Sequence, residues 1–300
     1  PARYCYAEIR QSNPDQLIAS GYLGTDGTGF AEVPRGVSCY VRIFAAVEIP
    51  ATGGTHPVLR GSVLNGPAPA SGSTDAAKAS TFQNTGDWVA ESNDFMADNS
   101  LTLPVLARSG SGDFSGGAFA IADQLATFAL KVRELESTRL LPNLHVYWTT
   151  SNNVSLQVRN YPSVLRTGAG GIFKLDSGRA VFTSAVYGQQ GGAPWAETDE
   201  FDDGVLQETF HHLLFADYSL KEDGSSPLSL LRRDNDNVYV SRYRPSESTA
   251  GFVGGVCDFL AGATLGDSRL LDSYNDGSGV LRVENFDLSR HDQVPSGQRG

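Results

Sequence analysis

The run EFDDGVLQETFHHLLF, residues 200–215, decides how the rest of the chain is read. Asp202 and Asp203 stand where a helix begins, since short acidic side chains cap the free N–H groups of a first turn and suit the positive end of the helix dipole. Behind them Leu206, Phe210, Leu213 and Leu214 form an apolar stripe at helical spacing. Gln207 and His211 are four residues apart and share another face, and Glu208 and His212 share a face in the same way. The expected element is a helix with one side to bury and with histidine, carboxylate and amide groups set one turn apart.

Around that helix the composition sets bounds. A chain of 300 residues with 40% hydrophobic content can bury a core as one large domain or two smaller ones. A net charge of −11 argues against nucleic acid and anionic membranes as partners, because phosphate binding depends on Lys and Arg. No run of 18 apolar residues occurs, so no membrane span is expected. The 33 glycines, the many Ser, Thr and Asn and the 19% charged content fit a solvent-exposed β-rich protein better than a helical cytosolic one. Pro1 leads the sequence and Met96 is its single methionine. Loss of a secretory signal peptide is the expected reason, a trimmed sequence the other. The three cysteines, Cys5, Cys39 and Cys257, are an odd number. Cys5 and Cys39 fall in predicted strands and either pair as a disulfide in an oxidising compartment or pack as small apolar residues. No CxxC or Cys/His zinc spacing occurs.

Residues 3–48 read as strands. RYCYAEIRQ alternates, NPDQ turns, LIASGYL continues, TDGTG turns tightly, and VSCYVRIFAAVEI is a β-branched and aromatic run. A small β-sandwich over 1–65 is expected from short strands at this spacing, with VLRGSVLNG extending the sheet. Residues 66–115 are a Gly/Ser/Thr-rich connection. Residues 116–136 are the first clear helix, with Phe119, Ala122, Leu125, Ala126, Ala129 and Val132 along one stripe. LPNLHVYWTT is a strand whose His145 reads as a packed structural residue, and NVSLQVRNY, GGIFKLDSG and AVFTSAVYG are further strands. No period of 20–50 residues repeats. The tail 291–300 is polar and reads as loose or docked on a neighbour.

Two resemblances sit on these residues. The segment GYLGTDGTGFAEVPRG between two strands resembles carboxypeptidase regulatory-like β-domains of secreted bacterial proteins, over about 45 residues at the N-terminus. EFDDGVLQETFHHLLF together with the later GFVGGVCDFLAGA resembles secreted bacterial zincin-like metallopeptidases of the gluzincin type, over most of 116–265. In that family the first helix carries His-Glu-x-x-His and a second helix supplies a ligand Glu. The resemblance implies an α+β fold in which helices pack on a sheet over 116–290. It puts the two histidines at Gln207 and His211, the water-activating Glu at Glu208, and the third ligand at Gly254. Gln207 offers only a neutral amide and Gly254 has no side chain, so two of the three ligands are lost.

A rearranged site using His211, His212 and a carboxylate, with Glu208 as the catalytic group, is the alternative that would keep zinc and endopeptidase activity. Glu247 in RPSESTAG reads as part of a helix start rather than as a substitute ligand. DNDN at 234–237 and NDGSG at 275–279 lack the spaced oxygens of a calcium loop and read as turns. TGAGG at 167–171 falls short of a dinucleotide loop, and no GxSxG elbow occurs. The resulting expectation is an extracellular or cell-surface protein of α+β class without a cofactor. Its zincin-like domain would be a pseudoenzyme, acting through a protein partner or a homo-oligomeric assembly.

Overall fold

The computed structural model describes residues 1–53, 57–65, 86–98, 104–105, 107, 115–137, 141, 143–149, 160–161, 164–166, 172–174, 177–183, 186–190, 193–197, 201–204, 206–208, 210–211, 248–275 and 281–289. Four strands open it: β1 (Cys5–Ser12), β2 (Asp15–Tyr22), β3 (Ser38–Ile49) and β4 (Leu59–Asn65). Three short ones follow, β5 (Gly86–Asp87), β6 (Val89–Glu91) and β7 (Phe95–Met96). Helix α1 (Ser115–Leu135) leads to β8 (Asn143–Thr149). Then come β9 (Asn160–Tyr161), β10 (Val164–Arg166), β11 (Ile172–Lys174), β12 (Ser177–Thr183), β13 (Val186–Gln190) and β14 (Ala193–Glu197). The described residues between 203 and 211 are helical and are called α2. Helix α3 (Ser248–Leu265) and strands β15 (Arg269–Asn275) and β16 (Leu281–Asp287) complete the order. The chain is therefore of α+β class.

The main sheet runs β2-β1-β3-β4-β8-β12-β9, with β5 on β4 and β6 and β7 on β3. β1 to β4 pair antiparallel, as tight turns allow, whereas β4 with β8 and β8 with β12 pair parallel. A parallel neighbour needs a crossover, and α1 lies on the crossover between β4 and β8. Strand β3 shows why one face of this sheet is closed. Cys39, Ile43, Ala45, Val47 and Ile49 alternate inward and are buried, while Tyr40, Arg42, Phe44 and Glu48 point the other way and stay partly exposed. Helix α1 packs on β3 and β4. Its whole expected stripe, Phe119, Ala122, Leu125, Ala126, Ala129 and Val132, is buried.

Close approach of helix and sheet is set by Gly61. A Cβ built there would lie 3.2 Å from Leu125 Cδ1 and 3.3 Å from Val47 Cγ2. Polar contacts pin α1 near its middle and at its C-terminal end: Arg3 Nε donates to Asp123 Oδ1 at 2.6 Å, and Arg133 Nη1 donates to the Pro50 carbonyl at 2.7 Å.

This arrangement revises the expectation for residues 1–65. Their strands lie in one sheet backed by a helix, not in two facing sheets, and the sheet passes through the expected boundary at 65 to reach β8. One buried cluster unites Ile43, Val47, Ile49 and Val63 with Leu125, Phe128, Val146, Leu206 and Phe210. The physical reason is burial: a lone layer this small needs a cover for its apolar face, and α1 supplies it. A second, antiparallel sheet has the order β13-β14-β15-β16, and β10 with β11 forms a hairpin. AVFTSAVYG, read as one strand, contributes to two, β12 and β13, which join different sheets. No described helix is long and apolar enough to cross a membrane.

Candidate functional site

Helix α2 begins as its acidic start suggests. The Leu206 amide donates to the Asp202 carbonyl at 3.0 Å, the first turn of a helix entered at Asp202. A surface helix would keep one polar side in water. In α2 the residues Leu206, Gln207, Glu208, Phe210 and His211 are all buried, so its polar groups must find partners inside the protein.

The amide nitrogen of Gln207 finds two on α1. It donates to the main-chain carbonyl of Gln124 at 2.9 Å and to the Gln124 side-chain oxygen at 2.8 Å. Both partners are acceptors, which fixes the orientation of the amide. Asp203, one turn earlier on α2, accepts a hydrogen bond from the Gln124 side chain. Desolvation, and secondarily the neighbouring Asp123, hold the Asp203 carboxyl above its ordinary range, and the Gln124 bond partly offsets them. Gln124 is therefore gripped by two residues four apart on α2. The network continues through Asp123 to Arg3, whose guanidinium also donates to Thr127 Oγ1 at 2.8 Å.

His211 serves the opposite junction. Its Nε2 lies 3.0 Å from Thr264 Oγ1 on α3, and its ring meets Phe128 edge-on at 5.1 Å and 81°. Glu208 is buried on the same helix. Cys257 and Asp258 of α3 are also buried, and the Cys257 thiol is pushed well up by burial, then by Glu208 and Asp258. That thiol therefore stays protonated near neutral pH. Gly254 lies on α3, three and four residues before Cys257 and Asp258.

The structure brings Gln207, Glu208 and His211 into one buried layer between α1 and α3. Their donor chemistry does not fit a catalytic zinc. Gln207 uses its amide nitrogen on Gln124, its oxygen is a neutral and weak donor, and Gly254 brings no side chain. Among the described residues no three His, Cys, Asp or Glu side chains are grouped to hold a metal ion. His212, Glu247 and the DNDN run lie outside the described residues.

Cys5 and Cys39 are both free and buried, and the disulfide considered for them is absent. Opposite Cys5 across the β1–β3 ladder stands Val47, and opposite Cys39 stands Gln11, so the two thiols occupy opposite ends of the strand pair. Disulfides need Cα atoms within about 7 Å, and eight positions along a strand at ~3.3 Å each exceed that several-fold.

Sequence reasoning missed Gln124 and Thr264 as partners of the motif helix, and the buried Asp258 on α3. Gln124 lies among the buried residues of α1 and Asp258 breaks GFVGGVCDFLAGA. A single polar residue inside a buried stripe is the signal that could have found both.

No protein-family model, curated protein or solved structure matches this chain.

Proposed function

We propose that this is an extracellular or cell-surface protein whose helical part keeps the frame of a zinc peptidase without its metal chemistry. It acts by binding a protein partner or by assembling into an extracellular structure. One observation carries the reading. Gln207, at the position of a ligand histidine, is wholly buried and spends its amide on clamping α2 to α1. A residue so committed serves packing of the helices, and the same is true of His211 on Thr264. The net charge of −11 and the Gly-rich composition agree with a protein that works outside the cell and away from nucleic acid.

Elemental mass spectrometry on protein purified without chelator or added zinc tests this. Far less than one zinc per chain is the expected result, with no change in thermal unfolding on adding a chelator. About one zinc per chain would overturn it. Peptide cleavage lost on chelation and in Glu208→Gln would then move the reading to a peptidase with a rearranged His211, His212 and carboxylate site.

A further inference from the structure

The face of the main sheet turned away from α1 carries a concentration of exposed apolar side chains. Leu17 (45% exposed), Tyr22 (49%), Val89 (37%) and Met96 (53%) all lie on it. The ladders fix this: Leu17 is opposite Arg10, Tyr22 opposite Tyr6, Val89 opposite Phe44 and Met96 opposite Ser38. Tyr6 sits between Tyr22 and Phe44, with ring centroids 5.4 and 5.5 Å away. Charges of both signs are threaded among the rings. Arg10 pairs with Glu8 and Asp15, Arg42 with Glu91, and Arg60 with Glu48, while Arg42 also lies 5.5 Å from the centre of the Tyr40 ring.

We propose that this face, centred on Tyr6, Tyr22, Phe44 and Val89, is a docking surface for a second copy of the same chain. The inference rests on the assembly reading above and names its partner and its surface. Charge complementarity selects the occupant. Most of the surface of a chain at −11 repels a copy, but on this face three arginines stand against four carboxylates, so it is nearly neutral and its Arg–carboxylate pairs can be exchanged with those of a two-fold-related copy. Its makeup of Tyr, Phe, Met and Arg is that of protein interfaces. The area is adequate too: four strands at ~4.8 Å spacing and about 30 Å of strand length give on the order of 600 Å² in plan, near the ~800 Å² each partner contributes to a standard interface. A flat glycan is the poorer occupant, because the Tyr6 ring is tilted 58° from Tyr22 and 44° from Phe44 and the three offer no common plane.

Sedimentation velocity over about a hundredfold range of concentration tests the proposal on the whole chain. Wild type is compared with Leu17→Lys/Val89→Lys, with Tyr22→Lys, and with Phe259→Lys, which alters an exposed residue on α3. Lysine lowers the net negative charge, so weaker association cannot come from added long-range repulsion. Circular dichroism checks that each variant is folded. The expected result is a wild-type dimer whose dissociation constant rises at least about tenfold in the two sheet-face variants and stays put in Phe259→Lys. Association that the sheet-face variants leave intact would overturn this surface while sparing the assembly reading. A wild type that stays monomeric throughout would overturn both the surface and self-assembly.

Discussion

Gln207 donates from one amide nitrogen to two oxygens of Gln124, and all these atoms are shut away from water. Replacing it with leucine keeps the volume and removes the donor, so both Gln124 oxygens lose a partner. The expected loss is ~1–3 kcal/mol, the usual cost of stranding buried polar groups, read from urea unfolding. Gln207→His tests whether the motif can be restored by one change. Gly254 still lacks a ligand, so the variant is expected to purify with far less than one zinc per chain and to be less stable than wild type. The thiols give a third test. All three cysteines are free and buried. Cys5 is pushed from its ordinary value of 9.0 up to about 12, first by burial and then by Asp123. Native protein is therefore expected to leave a thiol reagent at mildly alkaline pH unreacted, and denatured protein to titrate all three. The sign for stability follows: a raised folded value means that the unfolded chain ionises first, so the contribution of Cys5 is complete below pH 9 and is lost as pH rises towards 12.

Helix α3 offers a comparison between two glycines about two turns apart on one element. A Cβ at Gly255 would meet nothing within 4 Å, whereas at Gly262 it would lie 2.8 Å from the Asp267 carbonyl oxygen and 3.0 Å from Leu288 Cδ1. Gly255→Ala is expected to stabilise by about 0.5–1 kcal/mol through helix propensity alone. Gly262→Ala is expected to destabilise by ~1–3 kcal/mol, because main chain cannot yield as a flexible side-chain end can. Thermal melts of the two variants check both signs. Elements with a clean period were legible in the sequence. The alternation of VSCYVRIFAAVEI gave β3, and the stripe from Phe119 to Val132 gave α1. That AVFTSAVYG belongs to two strands was not legible, because neither Ser184 nor Ala185 is a strong turn former and apolar residues stand on both sides. The partners of the motif were hidden for another reason. Gln124 and Thr264 lie 83 and 53 residues from Gln207 and His211, and no local pattern announces a contact at that range.

At the scale of the molecule the decisive feature is the parallel pairing of β4 with β8, which ties residues 1–65 to the later part of the chain. Period and turn chemistry describe neighbours in sequence, so a strand partner delivered by a crossover helix is not written in either strand. The consequence can be measured. If residues 1–65 were a separate domain, their unfolding could precede that of the rest. Because Ile43, Val47 and Val63 share one core with Leu125, Val146 and Phe210, they should unfold together with α1 and β8. The junction has its own reporter: Trp88 and Trp148 stand 5.1 Å apart, and the Trp88 indole donates to the Trp148 carbonyl at 2.8 Å. The chain has three tryptophans, so Trp195→Phe leaves fluorescence to that pair alone. In this variant, urea unfolding followed by fluorescence is expected to coincide with unfolding followed by far-ultraviolet circular dichroism, at one midpoint. Two separated midpoints would show that the strands of 1–65 hold together without β8, and that the core joining them contributes little to their stability.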